Sequence, residues 1–321
     1  MHSANSIITI RYFENSISES CLLGKELHIG ISEAFIPDLY NQPESFLVKK
    51  FDSRSNYNWV VKKIEPSEGS GGELIFDMLL EANISKVPEV YLSQTLKRTR
   101  QKLVRILYQG TLVEVDYGFT QSIIKDKEIK KTKRYPNVLQ KNEMRKRRLA
   151  IVVKVLSDHR VQVIPVTSQD PKGDVSTFQL SRDTLDNLDF YGGSGKDSWA
   201  LCNMLQTIST TRIIPPITKR VERQSKTAIK PYINYIRDET YKHKLSAYDR
   251  TNMLNALLKA YSSSDYLELK DFKKKYLKLS QEIEAERLAN KSMMQALERF
   301  KKVCELYELD PDKELKEDSE L

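Results

Sequence analysis

Arg148-Leu149-Ala150-Ile151-Val152-Val153, followed after the turn Ser157-Asp158-His159-Arg160 by a run ending in Pro165-Val166-Thr167-Ser168-Gln169, decides how the middle of this chain folds. Both runs are short, apolar and rich in β-branched residues, and polar turn residues separate them, which predicts a β-hairpin. One arm brings a guanidinium and the other a hydroxyl to the same edge of a small sheet. Those two groups together suit the grip of an RNA phosphate.

Working outward, Gly110 to Gly118 alternates as a half-buried strand, and Val161 to Val166, Ser176 to Leu180 and Asp197 to Leu205 add further β candidates. Several short strands with turn-rich connections imply a small, strongly curved β-barrel rather than a parallel sheet, with room for one crossover helix. Upstream, short alternating stretches such as Phe46-Leu47-Val48 and Trp59-Val60-Val61 are broken by a loop at Glu68-Gly69-Ser70-Gly71-Gly72-Glu73. From Val90 to Leu107 the apolar residues recur at helical spacing among basic ones. Downstream of Pro215-Pro216 the composition reads as helical throughout. Phe272, Tyr276, Leu279 and Ile283, then Met293, Leu297, Phe300, Cys304 and Tyr307, repeat a spacing of three and four, as in a helix pair or short coiled coil. Asp310 to Leu321 is acidic and expected to fray. The expected class is α+β, with a mixed extension over 1–106, a barrel over 107–216 and a helical region over 217–321.

Fifty-two Lys and Arg against 44 Asp and Glu give a net charge of +8, which favours an anionic partner such as nucleic acid. Cys21, Cys202 and Cys304 are odd in number and far apart, so neither a disulfide framework nor a zinc site is indicated. A reducing cytoplasm fits that usage. The N-terminus lacks a basic segment followed by an apolar core, and no apolar run approaches the ~20 residues that span a bilayer. A soluble protein is expected.

Between the strand ending at Gly118 and the one starting at Arg148 lies a basic stretch. It holds Lys125, Lys127, Lys130, Lys131, Lys133, Arg134, Lys141, Arg145, Lys146 and Arg147, only partly offset by Asp126, Glu128 and Glu143. Read as a flexible loop, it attracts a phosphate backbone, and Tyr135 offers a face for an unpaired base. Its Lys-rich half reads equally well as a solvated surface. The Arg145 to Arg148 cluster abuts buried strand residues, so Arg148 is positionally fixed. A guanidinium is planar, permanently charged and bidentate, and so suits the extra negative charge of a pentacoordinate phosphorane. Thr167 can donate its hydroxyl to a phosphate oxygen, although a Thr ending a strand commonly bonds its own backbone.

These blocks resemble the MazF/PemK family of toxin ribonucleases. The resemblance rests on Gly110-Thr-Leu-Val-Glu-Val-Asp116, on Glu143 five residues before Arg148 and its strand, and on Pro165-Val166-Thr167-Ser168-Gln169. It continues through Ser198-Trp199-Ala200-Leu201, followed by Thr207-Ile208-Ser209-Thr210-Thr211-Arg212. Leu149 stands where the family usually has Pro, and Asn203-Met204 where many members have Asp-Gln. The resemblance implies an SH3-like barrel that forms a homodimer, is restrained by a cognate antitoxin, and cleaves single-stranded RNA without metal or other cofactor. The products would be a 2′,3′-cyclic phosphate and a 5′-OH. Carried over, Arg148 stabilises the phosphorane, Thr167 orients the phosphate and Glu143 assists deprotonation. Lys133, Arg134, Tyr135, Arg145, Lys146, Arg147, Ser168 and Gln169 are the expected RNA contacts. A non-catalytic binding module on the same fold is the second reading.

Two other signals are set aside. Gly192-Gly193-Ser194-Gly195-Lys196-Asp197 lacks the Ser or Thr after Lys that a Walker motif needs, so it reads as a hairpin or lid. The four histidines are scattered, and His159 reads as a turn residue.

Overall fold

The computed structural model describes residues 7–15, 20–39, 45–69, 73–84, 87–125, 128–132, 135–140, 142–186, 188–193, 195–222, 232–262 and 264–308. Residues Met1–Ala260 group as one compact unit and Tyr261–Leu321 as another. The chain is α+β, and among the described residues its sheets are open, with none closed into a barrel.

The N-terminal region is more regular than its sequence suggests. Strands β1 (Ile7–Glu14), β2 (Cys21–Ile29), β3 (Glu33–Pro37), β4 (Ser45–Val48), β5 (Asn58–Glu68) and β6 (Leu74–Ala82) occur in order, and five of them form a sheet ordered β2-β1-β6-β5-β4. Alternation puts Ile8, Ile10 and Tyr12 on one face of β1, where they pack with Trp59, Val61, Phe76, Met78 and Leu80. The basic stretch from Val90 onward then forms α1 (Leu92–Thr99) and α2 (Leu103–Ile106), whose apolar positions Leu92, Leu96, Leu103 and Ile106 are buried.

Strands β7 (Leu112–Asp116), β8 (Gln121–Lys125) and β9 (Glu128–Lys131) follow. The last two correct the expectation of a flexible basic loop: they pair as a hairpin, and β8 also pairs with β3, giving a three-stranded sheet. The backbone of this stretch is thereby fixed to the N-terminal region by ladder hydrogen bonds.

The central sheet is built from β7, β10 (Arg147–Val155), β11 (Arg160–Thr167), β12 (Thr177–Gln179), β13 (Trp199–Leu201), β14 (Gln206–Ser209) and β15 (Ile213–Ile214). Its order is β12-β13-β11-β10-β7-β15, with β14 on β11. The β10–β11 hairpin read from the sequence is present, and Ala150 faces Pro165 in its ladder. Alternation gives the sheet two apolar faces. Val113, Val115, Ala150, Val152, Val161, Val163, Ile208 and Ile213 pack under α1 and α2. Leu112, Leu149, Ile151, Ile164, Val166, Phe178 and Ala200 pack on the other side with Leu185 and Leu188. Those two leucines come from the segment carrying the short helices α3 (Arg182–Leu185) and α4 (Asp189–Gly192). This same face also receives Met253 and Ala256 of α5 (Ala247–Tyr261).

The region after Pro216 is not wholly helical. Ile217–Glu222 and Tyr232–Arg237 form β16 and β17, an antiparallel two-stranded sheet. Both strands hold β-branched or aromatic residues, with Thr218 opposite Ile236 and Tyr235 opposite Lys219, which favours a sheet over the helical reading of the composition. The apolar repeat further on lies on one uninterrupted helix, α6 (Ser264–Leu306), 43 residues long. The acidic tail from Asp310 lies outside the described residues, as does Ser194 of the glycine-rich segment. No described helix is long and apolar enough to cross a membrane.

Candidate nucleic-acid interface

The site is built from the alternation of β10. Arg147 pairs across the ladder with Asp116, Arg148 with Val115 and Leu149 with Glu114, so the two adjacent arginines leave the sheet on opposite faces. The entry to the strand is fixed by Lys146, which adopts a left-handed backbone with φ 67°. Its N–H donates to the Gly118 carbonyl at 2.7 Å, and its carbonyl accepts from the Tyr117 N–H at 3.2 Å. Gly118, at φ 95°, supplies the matching turn without a Cβ.

On the Arg148 face the register draws a row across four strands. The β10–β11 ladder ends at Ala150↔Pro165; two residues further on, Arg148 on β10 and Thr167 on β11 keep the same alternation, and Thr167 faces Trp199, which in turn faces Gln179. Directly opposed residues of antiparallel strands share a face, so the hydroxyl, the indole and the carboxamide stand side by side, and alternation puts the Arg148 guanidinium at the same end of the sheet. In the other direction the row turns apolar, through Val115 and Ile213.

Arg148 is half-buried, and its Nε donates to the Arg145 carbonyl at 3.0 Å. Among the described residues no carboxylate forms an ion pair with it. Burial, with the nearby Arg145 charge, pulls its pKa below the usual arginine value, which still leaves it charged at neutral pH. Tyr117, buried beside it, has its phenol pushed up by burial while the Arg148 charge pulls it down. Its hydroxyl has no hydrogen-bond partner among the described residues. The Thr167 oxygen accepts from the Gln169 N–H at 3.2 Å, the backbone role a strand-ending Thr commonly plays, and its own O–H remains a donor.

The opposite face is closed by charge pairing. The Arg147 Nε donates to Asp116 at 2.7 Å, and its other nitrogens reach Asp116 and Glu89. Asp116 also accepts from the Tyr91 hydroxyl at 2.6 Å. Beside it, Arg237 of β17 donates to Glu114 at 2.8 Å, with both side chains only 4% exposed, and also to the Pro215 carbonyl. Burial alone would lower the Arg147 pKa, but its hydrogen bonds to Asp116 and Glu89 hold it well above the usual value.

The remaining expected contacts divide. Ser168 and Gln169 are exposed just past the row, and Arg145 and Lys146 are half-buried at its β10 end. Glu143 is exposed, and its carboxylate accepts from the Gln140 N–H at 2.8 Å. No hydrogen bond or ion pair among the described residues joins it to Arg148 or Thr167. Tyr135 packs edge-on against Phe35, ring centroids 5.2 Å apart. Lys133 and Arg134 lie outside the described residues. Trp199 was read from the sequence only as part of the Ser198–Leu201 block and Gln179 only within a strand candidate, and strand register brings them beside Thr167.

No curated protein matches the chain. A family model does match residues 132–236, about a third of the chain. The matched segment holds β10, Arg148, Thr167 and Trp199, and it runs past Pro216 through the β16–β17 hairpin. The matching model is that of the family described as the PemK-like, MazF-like toxin of type II toxin-antitoxin systems, and that stretch of the protein is similar to it.

Proposed function

We propose that this protein is the toxin of a type II toxin–antitoxin pair and that it cleaves single-stranded RNA across the row Arg148, Thr167, Trp199 and Gln179. The observation that carries the reading is the pairing state of Arg148: a sheet-mounted guanidinium with no carboxylate partner among the described residues, one strand from a hydroxyl donor. In this scheme the ribose 2′-oxygen attacks the adjacent phosphorus and loses its proton to a base. The P–O5′ bond breaks and O5′ takes up a proton, leaving a 2′,3′-cyclic phosphate and a 5′-OH. Arg148 stabilises the charge that builds on the non-bridging oxygens, acting through electrostatics, since its pKa makes it a poor proton donor. Thr167 donates to one of those oxygens, and Trp199 stacks a flanking base. Glu143 is the candidate base; to act it must give up its bond to the Gln140 N–H.

Finer features belong to the same proposal. The central sheet, curled by the β10 register shift between Val152 and Lys154, corresponds to the SH3-like barrel of the family. The protein works as a homodimer in the cytoplasm, requires no cofactor, and is held inactive by a cognate antitoxin.

One observation favours the second reading, a module that binds RNA without cutting it: the Glu143 carboxylate is bonded within its own turn rather than to the row. Incubating the purified protein with a long single-stranded RNA in EDTA, beside Arg148→Ala, decides between them. Fragments ending in cyclic phosphate, absent with the variant, support the nuclease. Intact RNA with retained, salt-sensitive binding supports the module.

A further inference from the structure

Helix α6 carries an apolar stripe that its own unit leaves open. Phe272 is 70% exposed, Tyr276 65% and Ile283 44%, and Leu269, Leu279 and Met293 are exposed as well. The stripe follows a strict repeat of three and four. With Leu269 at a, the a positions are Leu269, Tyr276, Ile283, Asn290 and Leu297, and the d positions are Phe272, Leu279, Glu286 and Met293. A 3.5-residue period over four heptads is the pattern of a supercoiled helix pair, not of a helix lying on a globular core. The gap in the apolar repeat noted from the sequence is therefore no phase break: it is two polar residues, Glu286 and Asn290, at seam positions.

We infer that α6 pairs with α6 of a second copy of this chain as a parallel, in-register, two-stranded coiled coil. Charge complementarity selects this occupant and this direction. In a parallel pair each g residue faces the e residue five positions on in the other helix, which sets Glu268 against Lys273 and Glu282 against Arg287. All four side chains are exposed. Among the described residues Glu282 otherwise has only a loose contact with Lys278 on its own helix, at 3.7 Å. An antiparallel pair that set Asn290 against Glu286 would also match polar with polar. It would, however, place Arg287 against Arg287 and Lys273 against Lys301, repelling at both sites. In the parallel arrangement Asn290 meets Asn290 in one a layer, where a buried amide pair penalises slipped registers and higher oligomers. Glu286, at d, lies within reach of Arg287 of the second copy.

The test uses the full chain with Cys21→Ser and Cys304→Ser, since Cys21 is exposed and Cys304 falls at the next a position of the same helix. Ile283→Cys in that background is expected to form a covalent dimer under mild oxidation, whereas the background alone does not. A mixture of Ile283→Cys and Met293→Cys chains is expected to yield no mixed dimer. Cross-linking only between the two different variants would overturn the parallel pairing. Absence of both products, with the solution mass unchanged by Ile283→Glu, would overturn the coiled coil itself. RNA cleavage plays no part in the readout, so failure here leaves the nuclease proposal standing.

Discussion

Arg147 and Arg148 are chain neighbours with opposite surroundings. Arg147 is held by two carboxylates, one of which also takes a tyrosine hydroxyl, whereas Arg148 spends one N–H on a backbone carbonyl. Both are half-buried, yet hydrogen bonding raises the pKa of the first and burial lowers that of the second. A buried cation with its counter-charges in place is structural, and one without them is poised for an anion that arrives from outside. The difference is set by a single step along a β-strand.

Experiments that break this contrast should start on the paired face. Replacing Arg237 with Met strands the buried Glu114 carboxylate and is expected to cost about 3–5 kcal/mol in denaturant unfolding, with most of it recovered by adding Glu114→Leu. Arg148→Ala should reverse the pattern. Cleavage is expected to fall about 10²–10³-fold, in line with loss of a transition-state donor, while the unfolding midpoint stays near that of the parent. Equal losses of stability from Arg148→Ala and Arg147→Ala would collapse the distinction. Trp199→Ala is expected to weaken single-stranded RNA binding by about 1–3 kcal/mol at fixed salt, in a titration that leaves the cleavage products unchanged. Thr167→Val should slow cleavage by roughly tenfold, the worth of one hydrogen bond.

The smallest expected effect concerns acid. Burial alone would raise the Asp238 pKa, but hydrogen bonds from Lys242 and Thr240 bring it down to about 2 from 3.8. Because the folded value lies below the unfolded one, its contribution is present above the unfolded pKa and is lost as the pH falls towards 2. A melting series over that range should show a modest drop that Asp238→Asn abolishes.

The β10–β11 hairpin was legible because its two runs are apolar, β-branched and bounded by a polar turn. Arg148 and Thr167 were legible because they sit at the ends of those runs. Trp199 and Gln179 were not, since their place depends on ladder register between strands more than thirty residues apart for Thr167 and Trp199, and a linear pattern carries no such pairing. The β8–β9 hairpin was hidden by its lysines: charge suggested a loop, whereas Ser122, Ile123 and Ile124 are buried, Lys125 and Lys130 half-buried, and Lys131 exposed. The β16–β17 hairpin was missed because neither Ile217-Thr218-Lys219-Arg220-Val221-Glu222 nor Tyr232-Ile233-Asn234-Tyr235-Ile236-Arg237 alternates apolar with polar residues. The apolar spacing of the long helix was legible, but Glu286 and Asn290 made one helix look like a pair.

The left-handed turn at Lys146 makes the position of Arg148 a matter of parity. Because β10 starts from an anchor that cannot slide, the count of residues from Lys146 decides which face each side chain takes. Inserting one residue between Lys146 and Arg147 would send the neighbouring guanidiniums to each other's faces, burying the open cation among carboxylates; inserting two would restore them. Length variation in this part of the chain should therefore be tolerated in steps of two.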